Sequence, residues 1–393
     1  MSNATFTETR PAPGSEATVR EILQQPDVWL EAAKNIALQR QRLDGFLAPL
    51  LARPDLRIIL TGAGTSAFAG NVAAPALARL MNRRVDAVAT TDIVSNPREF
   101  LAEDVPTLLV SFARSGNSPE SSAATKLADE VLSDVSHLVL TCDATGWLFA
   151  DHDGRDDSLV VLMPARANDE GFAMTSSFTS MLLSALLILG GDDAVSVDAL
   201  SDAASGVLAI SRAAIEELAD SGFERVVFLG SGPLAGLARE SALKLLELTA
   251  GKVVSYHDSS LGFRHGPKSV LNDRTLVIVY ISSDPYTRQY DLDIIAELRS
   301  AIPAGNVIVV ASASAGSDGR AIVFEGLEDV EDALLAAPFV LVAQLLALSF
   351  SLRLGLTPDN PFPSGTVNRV VKGVHIHPLD GASFAKMEDD SAS

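Results

Sequence analysis

Apolar positions along this chain fall into short saturated runs separated by longer stretches with helical spacing. Residues 19–51 carry the helical period, broken at Gln25, Pro26 and Asp27, which predicts two helices ahead of the first strand. The pattern then changes. Residues 57–60 form a short apolar run leading into Thr61-Gly62-Ala63-Gly64-Thr65-Ser66, after which residues 67–81 read as a helix. The unit recurs: residues 225–229 lead into Gly230-Ser231-Gly232-Pro233, and residues 234–250 read as a helix. Further buried-strand runs follow each unit, at 107–111 and 138–142 in the first half and at 275–281 and 307–311 in the second. Saturated strands alternating with helices predict an α/β fold with two parallel sheets, each flanked by helices on both faces. The boundary between the halves is placed within 190–220, where Gly190-Gly191-Asp192-Asp193 and an acidic helix interrupt the alternation. The predicted division is a disordered tail with N-terminal helices over 1–50, a first domain over 51–205, and a second domain with a C-terminal tail over 206–393.

Length and composition sharpen this reading. A chain of 393 residues exceeds the roughly 250–300 at which one core stops growing, so two domains are the natural division. A formal charge of −20 disfavours nucleic acid or an anionic membrane as partner, because the long-range field repels polyphosphate. A small phosphorylated ligand held by local donors remains compatible with it. The single cysteine, Cys142, excludes an internal disulfide and a Cys-rich zinc site, fits a reducing cytoplasm, and reads as an inert buried thiol. Residues 1–15 are polar, with Pro11 and Pro13, and lack the basic start and apolar run of a signal peptide. The longest apolar stretch is read at 181–189, well short of the ~20 residues of a membrane span, which predicts a soluble, cytoplasmic chain.

In open α/β sheets ligands collect at the carboxyl ends of the strands, where helix N-termini offer free N–H groups to anions. Two loops there read as phosphate cradles. One holds Gly64, Thr65 and Ser66; the other holds Arg114, Ser115, Gly116, Asn117 and Ser118, with Pro119 suited to a first helical turn. The first is not the dinucleotide fingerprint, because Ala67 stands where a third glycine belongs. A third hydroxyl cluster, Thr175, Ser176, Ser177 and Thr179, either completes the site or caps a helix. In the second half Glu240, Lys244 and Glu247 are spaced by four and three residues, so they share one face of a helix that is otherwise rich in Ala and Leu. That stripe is either a surface ladder or a carboxylate base with a lysine beside it. Downstream, His265 sits between Arg264 and Gly266-Pro267-Lys268, in irregular backbone suited to proton exchange near neutral pH. His375 and His377 alternate on an expected strand without a third ligand, so no metal is predicted.

Together, the glycine-serine loop, Ser115-Gly116-Asn117-Ser118, the Glu240/Lys244/Glu247 helix and Arg264-His265-Gly266-Pro267 resemble the tandem SIS (sugar isomerase) domains of glucosamine-6-phosphate synthase. The likeness covers nearly everything after residue 50. Three longer strings, 112–121, 261–269 and 367–371, resemble the AgaS branch of that superfamily. The resemblance implies a galactosamine-6-phosphate deaminase/isomerase, a group formerly labelled tagatose-6-phosphate ketose/aldose isomerase. It implies Glu247 as the base between C1 and C2, Glu240 and Lys244 as its supports, and Ser66, Ser115 and Ser118 as phosphate hydroxyls. It implies that His265 opens the sugar ring from the neighbouring subunit of a homodimer, that Lys372 lies near the open chain, and that no cofactor takes part. Arg114 stands where the synthase has glutamine, Ala113 replaces a phosphate-binding serine, and two extra residues separate Glu247 from His265. With no glutaminase domain, free ammonia is the implied product or substrate. The alternatives are a glucosamine-6-phosphate deaminase, a ketose/aldose isomerase without ammonia release, and a non-catalytic sugar-phosphate sensor.

Overall fold

The structure, a computed structural model, describes residues 11–191, 197–313, 320–371 and 373–379. Most of the polar N-terminal tail therefore lies outside the described residues, but from Ser15, which is buried, the chain is part of the fold. The N-terminal region forms three helices rather than two: α1 (Glu16–Leu23), α2 (Gln25–Leu38) and α3 (Arg40–Leu51). The extra break, at Gln39, carries no proline or glycine to announce it; the Gln39 amide instead bonds back to Asn35 Oδ1 at 3.0 Å.

The first sheet comprises β1 (Arg57–Thr61), β2 (Val85–Ala87), β3 (Thr107–Ala113), β4 (Val135–Thr141) and β5 (Ser158–Leu162). Its helices are α4 (Thr65–Met81), α5 (Thr90–Ser95), α6 (Pro97–Phe100), α7 (Pro119–Val131), α8 (Trp147–His152) and α9 (Ser176–Gly190). Helices α10 (Val197–Ile210) and α11 (Arg212–Asp220) lead to the second sheet: β6 (Arg225–Gly230), α12 (Pro233–Leu248), β7 (Val254–Ser259), β8 (Thr275–Tyr280), α13 (Pro285–Ala301), β9 (Val307–Ala311), β10 (Ala321–Val323) and α14 (Asp332–Arg353). Both sheets are parallel, in the orders β2-β1-β3-β4-β5 and β10-β9-β8-β6-β7. Central strands β1, β3, β6 and β8 are almost wholly buried, which is why they read as saturated apolar runs.

The repeat seen in the sequence is repeated in the backbone. Gly64 before α4 has φ 56° and ψ −127°, and Gly232 before α12 has φ 55° and ψ −126°, a conformation that side-chain-bearing residues rarely adopt. One helix was underread. α14, 22 residues long, is apolar enough to cross a membrane by length and composition, yet 94% of its apolar window is buried inside the protein. It packs against α12, α11, α10 and α4, so an apolar surface all round marks a shared core helix. The two halves meet where α4 crosses α12, and the crossing is close: a Cβ at Gly236 would stand 2.8 Å from Val72 N.

Gly236→Ala is therefore expected to force the halves apart and lower the unfolding free energy by about 1–3 kcal/mol. Gly206→Ala, in α10 with open space around its Cβ, is expected to raise it by up to about 1 kcal/mol. Urea unfolding of the two variants beside the parent checks both signs.

Candidate active site

A pocket of about 110 Å³ lies beyond the carboxyl ends of β1 and β3, bordered by Ser66, Ser115, Ser118, Ser121, Arg114 and Arg369. Two helix N-termini flank it, and neither is capped by a side chain. Gly64 at the start of α4 has none to offer, and the Ser118 hydroxyl, at the start of α7, pairs with Ser121 Oγ at 2.7 Å instead. Uncapped first-turn N–H groups beside three serine hydroxyls make a site for an anion. Among the described residues the one hydrogen-bond partner of Ser66 Oγ is the soft Met174 sulfur, at 3.9 Å. The loop is shaped by its glycines and asparagine: Gly116 has φ +65°, and Asn117 Oδ1 accepts from Trp147 N at 3.1 Å, tying the loop to α8.

Arg114 is buried and pinned by the carbonyls of Phe172 (3.2 Å) and Arg369 (3.0 Å). Burial, then the Arg369 charge, lowers its pKa to about 10, while Asp169 and Glu247 oppose the fall, so it stays cationic at neutral pH. Thr175 is placed elsewhere. It is fully buried and does not border the pocket; its hydroxyl donates to Asp169 Oδ1 at 2.8 Å, and Asp169 also accepts the N–H groups of Thr175, Ser176 and Ser177 at 2.8–2.9 Å. The N-terminus of α9 is thus filled by the Asp169 carboxylate rather than by a hydroxyl of the cluster: Thr175, at the N-cap, makes no side-chain cap bond.

From the second half, α12 delivers the charged stripe, and the stripe is not a surface ladder. Lys244 and Glu240 have no exposure, and the Glu247 side chain is 24% exposed. Lys244 Nζ donates to Glu247 Oε2 at 2.6 Å and to Thr65 Oγ1 at 2.9 Å, and stands 3.4 Å from Glu240 Oε1. The ammonium therefore joins the carboxylates of one half to the Gly64–Ser66 turn of the other. Burial pushes the Glu240 pKa up to about 8, with Lys244 restraining the rise and Glu247 adding to it. Burial opposes the charge on Lys244, but the two carboxylates outweigh it and raise its pKa. Glu247, partly exposed and felt electrostatically by Arg114, is the member able to meet a bound molecule.

The matching cradle in the second half is closed. Asp291 accepts from the hydroxyls of Ser231 (2.6 Å) and Ser260 and from Ser282 N (3.0 Å), while Asp332 accepts from Ser282 Oγ (2.6 Å) and Ser283 N (2.7 Å). Its own carboxylates already hold the donors that an anion would use.

His265 follows a 3-10 turn, Gly262–Arg264, and is exposed; among the described residues its imidazole makes no hydrogen bond and does not border the pocket. Its neighbours Arg264 and Lys268 both pair with Glu297. Lys372 lies outside the described residues. His375 and His377 are not on a strand, and the described residues contain no group of three side chains fit for a metal ion. Burial raises the Cys142 thiol far above its ordinary range. Among the side chains that escaped the sequence reading as site residues, Asp169 carries a faint local signal, a carboxylate just ahead of a hydroxyl-rich helix start; Arg369, which reaches the pocket from the far C-terminal segment, lies in the 367–371 string but was given no role from it, and Ser121 and Met174 also line the pocket.

The SIS domain family model matches residues 50–189 and 217–352. A Streptomyces coelicolor protein provisionally named D-galactosamine-6-phosphate deaminase AgaS is 60% identical over 370 residues, covering 92% of this chain and 96% of its own. The Escherichia coli D-galactosamine-6-phosphate deaminase AgaS is 47% identical over 368 residues, covering 92% of this chain and 95% of its own. The crystal structure of tagatose-6-phosphate ketose/aldose isomerase from Escherichia coli aligns with a TM-score of 0.87 at 43% identity, covering 94% of this chain and 99% of that one.

Because the folded-state pKa of Glu240 lies above its unfolded value, its contribution is complete at acid pH and is lost as pH rises toward 8. Glu240→Gln is expected to flatten that decline, so its stability relative to the parent grows between pH 5 and pH 8. Lys244→Met, which strands the carboxylates, is expected to cost about 3–5 kcal/mol. Chemical denaturation across pH measures both.

Proposed function

The chain belongs to the SIS domain family, and on that premise we propose that it is an enzyme converting galactosamine 6-phosphate and water into tagatose 6-phosphate and ammonia. The observation that carries this reading is the contact of Lys244 with both Glu247 and Thr65, which ties a partly exposed carboxylate, itself outside the pocket lining, to the loop that carries Ser66. The names of relatives 43–60% identical over more than nine-tenths of this chain support the substrate.

In the proposed reaction the phosphate rests among Ser66, Ser115, Ser118 and the first-turn N–H groups of α4 and α7, with Arg114 supplying charge. The sugar opens with help from His265 of the partner subunit in a cytoplasmic homodimer, a role suited to an exposed imidazole with no hydrogen-bond partner among the described residues. Lys372 is assigned to the open chain. Glu247 removes the C2 proton, made acidic by the C1 aldehyde, and returns a proton to C1 through an enaminol. The resulting C2 ketimine takes up water and releases ammonia, leaving the 6-phosphoketose. Lys244 holds Glu247 in place, with Glu240 on its other side. The solved Escherichia coli relative, titled as a ketose/aldose isomerase, favours a second reading in which the same carboxylate moves the proton on a sugar without the amine.

Ammonia and ketose phosphate are to be measured together from galactosamine 6-phosphate and its gluco epimer. The proposal expects ammonia from the galacto substrate, and a fall of at least about 100-fold in kcat for Glu247→Gln. Ammonia release at the parental rate by that variant contradicts the role of Glu247, and ketose formation without ammonia selects the second reading.

A further inference from the structure

Both arginines that border the pocket hang on one loop. The Phe172 carbonyl accepts from Arg114 Nη1 at 3.2 Å, and the Asp169 carbonyl accepts from the Arg369 guanidinium. The N–H groups of the same loop face the other way, into a carboxylate on α1. Glu170 N (2.7 Å) and Gly171 N (3.3 and 3.2 Å) donate to Glu21, which is 2% exposed. The fit is tight: a Cβ at Gly171 would stand 2.9 Å from Glu21 Oε2 and 3.0 Å from Thr18 Oγ1. α1 is anchored in turn by the C-terminal segment, where Asp359 accepts from Ala17 N (3.1 Å), Thr18 N (2.8 Å) and Thr18 Oγ1 (2.7 Å). Glu21 is thus the fixed point against which the loop, and through its carbonyls both arginines, is set.

We propose that Glu21 is a positioning residue for the phosphate pocket, whose carboxylate holds the Glu170 and Gly171 N–H groups so that Arg114 and Arg369 are aimed, and whose protonation loosens the grip on phosphate. The proposal rests on the reading of that pocket as the phosphate site. The charged groups around Glu21 are Arg20 on its own helix at 3.3 Å, Asp169 and Glu170 on the loop, and Asp359 and Arg369 on the C-terminal segment. Burial first, then the Asp169 charge, pushes the Glu21 pKa up to about 7, against the pull of the two backbone N–H groups and Arg20. A ligand that orders the loop favours the ionised form, so affinity is highest above pH 7 and falls as the pH drops below it.

The test compares the parent, Glu21→Gln and Gly171→Ala at pH 8 and pH 6, reading the Kd of inorganic phosphate by calorimetry and KM and kcat with galactosamine 6-phosphate. Glutamine keeps an acceptor for the loop but takes up no proton, and phosphate's own titration cancels in the parent-to-variant ratio at each pH. If binding lowers the Glu21 pKa by about one unit, that ratio changes about fivefold between the two pH values, carried by KM rather than kcat. Gly171→Ala, its fold checked by its Tm, is expected to weaken phosphate about threefold to tenfold at both pH values. A Glu21→Gln variant that tracks the parent within about twofold at both pH values overturns the proposal. Ser115→Ala serves as the control. If it leaves phosphate binding intact, the pocket assignment itself fails and the proposal falls with it; if it abolishes binding while Glu21→Gln follows the parent, the Glu21 role alone is wrong.

Discussion

A lysine ammonium with no solvent exposure persists only where its charge is met, and Lys244 is met by carboxylates of its own helix and by a hydroxyl of the other half. That requirement explains why α4 and α12 approach so closely at Gly236 and why the apolar α14 runs against both. It also explains the position of Glu247. A carboxylate tied to Thr65 through one lysine cannot drift away from the phosphate loop without leaving a buried charge uncompensated. Packing between the halves and chemistry at the site therefore depend on the same ion cluster.

The duplicated units share a backbone but divide the work. Gly64 and Gly232 adopt the same dihedrals at equivalent helix starts, so the chain builds an anion cradle twice. In the second half Asp291 and Asp332 occupy the donors; in the first, among the described residues, no carboxylate accepts from Ser66, Ser115 or Ser118 and neither helix start is capped by its N-cap side chain. On the proposed reading one unit offers the anchor and the other the base; the α9 N-terminus, held by Asp169, is a further instance of a carboxylate filling such a place.

What the sequence made legible follows the range of each interaction. The central strands were plain because burial on both faces leaves no polar positions; all four edge strands escaped, β2 and β10 being three residues long and β7 half-polar, while β5 is a five-residue apolar run that was not singled out. The Glu240, Lys244 and Glu247 stripe was readable because helical spacing is local, and its burial was foreshadowed by the surrounding Ala and Leu. The apolar length of α14 was missed because Pro338 reads as a break within the run and Gln344 interrupts it further on, although the core accepts both. Arg369 and Glu21 were beyond reach: each meets the pocket or its wall across more than a hundred residues of chain, and no spacing rule spans that distance.

The most direct measurement is a crystal structure with an unreactive polyol 6-phosphate bound. The account predicts one phosphate per chain, between the N-termini of α4 and α7 and in contact with Ser66, Ser115 and Ser118, with C2 of the polyol facing the Glu247 carboxylate. Phosphate seated instead at the Gly230–Gly232 turn, or a polyol directed away from Glu247, would contradict it.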